Sequence, residues 1–231
     1  MNRHPNVIEL PFSAKYDRTH SEQYLRKHND GLARRFSHLR DTQLARKALK
    51  LAGDPKNVLD LPCGAGRFWP VLLENPERKL IAADNSADML AVASRANPEA
   101  MRGGIRLLQT SAFAIDLPDQ STDCIFSMRL MHHIGKAEDR ATMLQEFHRV
   151  TRETVILSLW VDGNFKAWRR RRLEAHRSHT RADGYQNRFL IPARQIEHEF
   201  SAAGFDVRGH YDFLPSYAMW RVYVLEKKPQ R

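Results

Sequence analysis

Asp60 closes a short apolar run beginning at Val58, and Gly64 and Gly66 follow it in a tight turn. Asp84 ends a second such run, Lys79–Ala83, 20 residues after Gly64. An ionised carboxylate offers acceptors and no donors, which suits the two hydroxyls of a ribose. Glycines without Cβ let backbone N–H groups come close to a ligand. A further turn, Ser111-Ala112-Phe113, follows a third run, Ile105–Gln109. If the runs are strands of one parallel sheet, all these turns meet at its carboxyl edge, where open α/β sheets bind ligands. The chemistry these residues could do is to hold a nucleoside.

The type of nucleoside is narrowed by what is missing. Arg67, Phe68 and Trp69 follow Gly66, so the third glycine of the dinucleotide fingerprint is absent. No glycine-rich loop ends in Gly-Lys-Ser or Gly-Lys-Thr, which excludes a P-loop. Beyond a fourth run, Asp123–Ser127, stand His132 and His133, candidate bases for an acceptor that must lose a proton. No third ligand stands at metal-binding spacing from that pair, so no metal is expected. His148 and Cys63 read as structural.

Around these positions strands alternate with helices. The pattern predicts strands at Asn57–Leu61, Lys79–Ala83, Ile105–Gln109, Asp123–Ser127 and Thr154–Trp160. Helices are predicted over Arg67–Asn75, Ser86–Ala96 and Lys136–Val150, with Ser86 an N-cap and Asn97-Pro98 a stop. Leu25, Leu32, Phe36, Leu39, Leu44, Ala48 and Leu51 fall at mostly helical intervals over residues 20–52. A basic helix, Asn164–Arg177, another from Pro192 to Ala203, and two strands, Phe205–Phe213 and Tyr217–Lys227, complete the chain. The expected fold class is α/β: a seven-stranded, mostly parallel sheet with an antiparallel C-terminal strand pair and helices on both faces. One domain is expected, with an N-terminal helical segment at 1–54, a core at 55–160, and acceptor-side helices with the closing strand pair at 161–231.

The 231 residues carry a net charge of +10, and that charge is concentrated. Residues 15–50 hold ten Lys/Arg against four Asp/Glu, and residues 165–182 hold seven against one. Each segment is a net +6 on an otherwise near-neutral body, which suggests an anionic partner; a solvated surface in a protein of high pI would give the same count. No apolar run approaches the roughly 18 residues that span a bilayer. The N-terminus leads into no signal-peptide core. Two cysteines make no disulfide framework. A cytoplasmic location with reduced cysteines is the expectation.

Four stretches, in order and in spacing, resemble the class I S-adenosylmethionine-dependent methyltransferase family, in the small-molecule branch that includes quinone methylators. They are Val58–Phe68, Ala83–Leu90, Ser111–Pro118 and Asp123–Ile134, within residues 55–160. The resemblance implies a Rossmann-like fold and S-adenosylmethionine as cofactor. It implies that Asp60, Pro62, Gly64 and Gly66 hold the methionine portion. Asp84 would bind the ribose, Asn85 and Met89 would flank the adenine, and Ser111, Ala112 and Phe113 would edge the base. Arg129 would line the passage to the acceptor, beside His132 and His133 as catalytic candidates. Pro62 departs from the usual glycine and removes an N–H. Ser111 stands where an Asp often reads the adenine amino group, and a hydroxyl accepts that bond more weakly.

The acceptor falls to residues 1–50 and 161–216. Tyr16, Asp17 and Tyr24 precede a helix that could act as a lid, or could simply pack. In Phe165–Arg172 the aromatics could stack on a base, lie at a lipid interface, or be buried with the arginines wet. Ser127-Met128-Arg129-Leu130 replaces the Pro-Pro-Tyr/Phe-type motif of enzymes that methylate base amino groups. The expected reaction is O- or C-methylation of a small or lipid-linked, anionic acceptor. The alternatives are methylation of RNA, with the basic segments as a clamp, and a non-catalytic protein that binds S-adenosylmethionine for regulation. Peripheral membrane contact is a further possibility, and the oligomeric state is not read.

Overall fold

A computed structural model describes residue 8 and residues 32–177 and 188–229 of the chain. The expectations on Tyr16, Asp17, Tyr24 and Leu25 lie outside the described residues. The elements run α1 (Leu32–Leu51), β1 (Asn57–Asp60), α2 (Trp69–Leu72), β2 (Lys79–Asp84), α3 (Ala87–Ala96), α4 (Pro98–Arg102), β3 (Arg106–Gln109) and β4 (Thr122–Ser127). A 3₁₀ turn at Met131–His133 leads into α5 (Ala137–Val150) and β5 (Thr151–Val161). Then come α6 (Phe165–Arg177), β6 (Leu190–Ile191), α7 (Ala193–Ala202), β7 (Phe205–Asp212) and β8 (Trp220–Lys227).

The sheet order is β3-β2-β1-β4-β5-β8-β7, with β6 paired to β5 off that path. The pairs from β3 to β5 are parallel, and β8 runs antiparallel to both β5 and β7. The seven expected strands make up the path, and the two-residue β6 adds an eighth. The chain leaves β1 toward β2 on one side and returns to β4 on the other. This switch point opens a crevice above the carboxyl ends of β1 and β4.

Alternation along the strands divides the core in two. Leu59, Ile125, Val155 and Leu157 face α5 and α7, where Met143, Phe147, Ile196 and Phe200 are buried. Val58, Cys124, Phe126 and Ile156 face the other way, onto Leu44 and Ala48 of α1, Trp69 of α2 and Leu90 of α3. Period-2 patterning accounts for this directly, because successive strand residues point to opposite faces. Among the described residues no helix is long and apolar enough to cross a membrane.

Three local expectations differ from the structure. The helix expected over Arg67–Asn75 shrinks to Trp69–Leu72, because turns carry the glycine loop as far as Phe68. Phe36 and Leu39 do not join the buried stripe of α1; they are 55% and 65% exposed. Phe165, Trp168 and Leu173 on α6 are likewise exposed, so the option that buried them is ruled out. The described part of the N-terminal segment, α1, packs on β7, β8 and α2 through Leu44, Ala45, Ala48 and Leu49.

Candidate active site

The loop after β1 is pinned at several points. The Cys63 N–H donates to the Ala83 carbonyl of β2 at 2.8 Å, and the Leu61–Pro62 peptide is cis. Gly64 and Gly66 have φ of +54° and +76°, in the left-handed region that favours glycine. Their surroundings differ. A Cβ on Gly64 would have nothing within 4 Å, whereas one on Gly66 would lie 2.8 Å from the Trp69 ring and from Asn97 Nδ2. Gly64 therefore opens on the cavity, and Gly66 lets the loop close on α2 and α3. Gly66→Ala should destabilise the fold by about 2–4 kcal/mol, combining left-handed strain with overpacking. Urea unfolding measures this, and a loss under about 1 kcal/mol would contradict the packing role.

Asp84 is buried at the end of β2. Its Oδ2 accepts from the Gly64 N–H at 3.1 Å and its Oδ1 from the Ser86 N–H at 3.0 Å. Burial pushes its pKa up to about 6, against the backbone donors of Ser86, Gly64 and Asn85. Ser86 also caps α3, its hydroxyl accepting from the Met89 N–H at 3.2 Å. Asp60 lies beneath the loop, 1% exposed, with Oδ2 lacking a hydrogen-bond partner. Burial, and to a lesser degree the charge of Asp84, raise its carboxyl well above the usual range. The Trp69 indole N–H leans toward Asp60 and opposes that rise, without reaching hydrogen-bond geometry.

One cavity runs along this edge of the sheet. At its β3 end it is lined by Ser111, Ala112 and Phe113, then by Asp84, Asn85 and Met89. It passes Pro62 and Gly64 and ends over β4 at Met128, Arg129, Leu130 and His133. The structure thus brings together ten of the expected site residues: Pro62, Gly64, Asp84, Asn85, Met89, Ser111, Ala112, Phe113, Arg129 and His133. Asp60, Gly66 and His132 do not reach the wall. The Ser111 hydroxyl is already engaged, accepting from the Phe113 N–H at 3.2 Å.

The histidine pair is divided between two surroundings. His132 is 3% exposed, its ring 5.2 Å from that of Trp160 and 4.6 Å from that of Trp220. Burial, and then the positive charges around it, hold its pKa down to about 2, so it stays neutral. Its Nδ1 has no partner and its carbonyl accepts from Phe189. His133 alone of the pair borders the cavity. His148 packs against Phe205 and Gly204, a structural position.

Sequence reasoning missed several wall residues. Thr110 and Arg67 adjoin Ser111 and Gly66, and Phe68 lies two places beyond Gly66, so reading each loop one or two places wider would have found them. Ile8 on the wall, and Asp41 behind it, carried no such signal. Asp41 is buried on α1, and its Oδ2 accepts from both Arg67 and Arg129.

Residues 58–154 match the family described as methyltransferase domain. Over that stretch the chain carries a methyltransferase domain. A demethylmenaquinone methyltransferase of Thermus thermophilus is 35% identical over 99 residues, which is 42% of this chain and 44% of that protein. A trans-aconitate 2-methyltransferase of Azoarcus is 31% identical over 115 residues, 48% of this chain and 41% of that protein. The chain therefore spans less than half the length of these curated relatives. The magnesium protoporphyrin IX methyltransferase of Synechocystis PCC 6803, crystallised with bound SAH, superposes with a TM-score of 0.70 at 13% identity, over 91% of this chain and 95% of that one. That likeness supports the fold of the methyltransferase domain.

Proposed function

We propose that this domain transfers a methyl group from S-adenosylmethionine to an oxygen or carbon of a small acceptor. The observation that carries the reading is the single cavity joining the Asp84 side of the sheet to the β4 side across the glycine loop. The residues present fit the cofactor: Gly64 leaves open space where a ligand approaches, and Asp60 keeps an orphaned oxygen under the same loop.

Asp84 would accept from the ribose hydroxyls. Asn85 and Met89 would flank the adenine, and Ser111, Ala112 and Phe113 would close its far edge. Gly64 would present its backbone to the methionine portion, over Asp60. The cofactor supplies a methyl group already activated on a positive sulfur. What remains for the chain is to align an acceptor beyond that sulfur and exclude water. Met128, Leu130 and Phe68 give that end of the cavity apolar walls. His133 would take a proton from a hydroxyl or activated carbon acid; His132, held neutral outside the wall, would support the ring of its neighbour, 3.9 Å away.

The acceptor would be small and anionic, in keeping with Arg67 and Arg129 at that end. Incubation with methyl-labelled cofactor and cell extract, followed by fractionation, tests the reading. Label in small molecules or lipids is the expected result. A second reading, methylation of RNA, is favoured by α6, where exposed Trp168 stacks under Arg172 at 5.0 Å; label in RNA would select it. Cofactor binding without labelled product in any fraction would overturn the enzyme reading.

A further inference from the structure

The exposed apolar side chains gather at one edge of the sheet, and the last strands fix which edge it is. Trp160 at the end of β5 pairs with Trp220 at the start of β8, and Arg221 pairs with Asp212 at the end of β7. The loop from Phe213 to Met219 therefore lies at the carboxyl edge, as the cavity does. Both strongly basic segments reach this loop. From α1, Arg40 Nε donates to the Phe213 carbonyl at 2.8 Å. From α6, the N–H groups of Phe165 and Lys166 donate to the carbonyls of Ser216 and Tyr217 at 2.9 and 3.0 Å. Among the described residues, every exposed large apolar side chain except Val207 falls on these three segments: Phe36 and Leu39 on α1, Phe165, Trp168 and Leu173 on α6, and Tyr217 in the loop.

Helix α6 shows how they are presented. Ala167 is buried and Arg170 lies over the Trp160 ring at 5.0 Å, so that face is held against the end of β5. Phe165, Trp168, Arg169, Arg172 and Leu173 fall on the opposite face by helical spacing and are exposed. The Phe165 ring stacks on Tyr217, centroids 5.9 Å apart at 10°, and lies 5.8 Å from Trp168. Glu174 and Asp162 are taken by Arg170 and Arg171, at 2.7 and 3.0 Å. Lys166, Arg169 and Arg172 have no carboxylate partner among the described residues. Lys166 lies instead over the Tyr217 ring at 5.1 Å, and Arg172 over Trp168 at 5.0 Å. Adjoining apolar side chains rimmed by cations mark an interaction surface.

We propose that this edge docks on a bilayer surface carrying anionic lipids, with Phe165, Trp168 and Leu173 entering the headgroup layer and Lys166, Arg169 and Arg172 meeting the headgroup charges. Aromatic and aliphatic side chains beside Lys and Arg suit that boundary, which is apolar on one side and negatively charged on the other. A strand of RNA would use the rings and the cations but has no use for Leu39 and Leu173, and a bilayer uses all of them. Phe36 and Leu39 add apolar side chains from α1 at the same edge. The acceptor end of the cavity then lies on the docked side of the molecule.

Flotation with vesicles of phosphatidylglycerol and phosphatidylcholine, against vesicles of phosphatidylcholine alone, tests this. The mixed vesicles should bind about tenfold or more tightly, and raised salt should weaken them. Lys166→Gln, Arg169→Gln and Arg172→Gln together should weaken that binding by about 100-fold, at about fivefold for each cation. Trp168→Ser with Leu173→Ser should weaken it by about tenfold or more. All five side chains are exposed, and thermal melts check that each variant keeps the fold. Lipids brominated on their acyl chains should quench the fluorescence of wild-type protein, and Trp168→Ser should remove most of that quenching. Equal or absent binding to the two kinds of vesicle, binding that the variants leave unchanged, or binding without quenching overturns the proposal. Polyuridylate that binds through the same residues while vesicles do not would make this an RNA surface and overturn it too. Vesicle binding needs neither cofactor nor turnover, so its outcome is separate from that of the methyltransferase reading.

Discussion

Asp84→Asn should cost the protein its cofactor and make the empty protein more stable. An ionised Asp84 can accept from both ribose hydroxyls, and losing those charge-assisted bonds should weaken S-adenosylhomocysteine by about 100-fold. The stability effect runs the other way. The carboxyl has a folded pKa of about 6 against an ordinary value of 3.8. Keeping it ionised in the fold at neutral pH therefore costs about 3 kcal/mol. Asn removes that cost but meets two backbone donors, Gly64 and Ser86, with only one acceptor oxygen. A net gain of about 1–2 kcal/mol at pH 7.5 is expected. The sign of the pH dependence follows from the raised pKa. Empty wild-type protein should gain stability from this group as pH falls from about 6 to about 4, and gain nothing further below that. Cofactor affinity should fall over the same window, by about tenfold per unit below pH 6, because a protonated Asp84 no longer accepts twice. Urea unfolding and calorimetric titration across that range measure both. An Asn variant that binds within threefold of wild type would remove Asp84 from the ribose site.

Glu199→Ala should be among the costly single changes on the far side of the sheet. Arg140 of α5 is 2% exposed. It donates Nε and Nη2 to the two Glu199 oxygens at 2.7 and 2.6 Å. Its Nη1 donates to the carbonyls of Ile134 and Gly135, at 3.1 and 2.9 Å. Truncating Glu199 strands a buried guanidinium, a loss of about 3–5 kcal/mol, here at the lower end because Glu199 keeps some contact with water. Replacing both partners, Arg140→Met with Glu199→Leu, should recover most of the loss in urea unfolding. It would also release the two carbonyls that follow His133. S-adenosylhomocysteine affinity should hold in both variants, since the pair lies away from Asp84. A double variant as unstable as the single one would contradict this view of the pair.

The sheet was legible because its signals are local. Short apolar runs, several closed by Asp60, Asp84 or a turn, sit at βαβ spacing and pointed to a mostly parallel sheet and to the edge where its loops gather. Ser86 was readable as a cap because its hydroxyl bonds three residues on, within its own helix. Asp60, Gly66 and His132 were legible as special positions but not as to what they face. Gly66 is glycine because of Trp69 and Asn97, and Asn97 stands 31 positions away. His132 and His133 look alike in sequence, and only the Trp160–Trp220 nest, brought in by β5 and β8, separates them. Periodicity also overreached on α1, where spacing alone cannot tell which of Phe36, Leu39 and Leu44 meets a neighbour. The link from Asp41 to Arg67 and Arg129 spans 26 and 88 positions, and no local pattern encodes it.

That link has a mechanical meaning. Arg67 and Arg129 stand on opposite lips of the crevice, and α1, which belongs to neither lip, ties both to one oxygen of Asp41. A strut of this kind sets a gauge: the gap between the lips equals the reach of two arginine side chains to a common point. Sliding or tilting α1 on β7 and β8 would reset that gap without altering a residue of the nucleoside end. The width of the crevice is therefore adjustable from the surface where α1 meets the sheet.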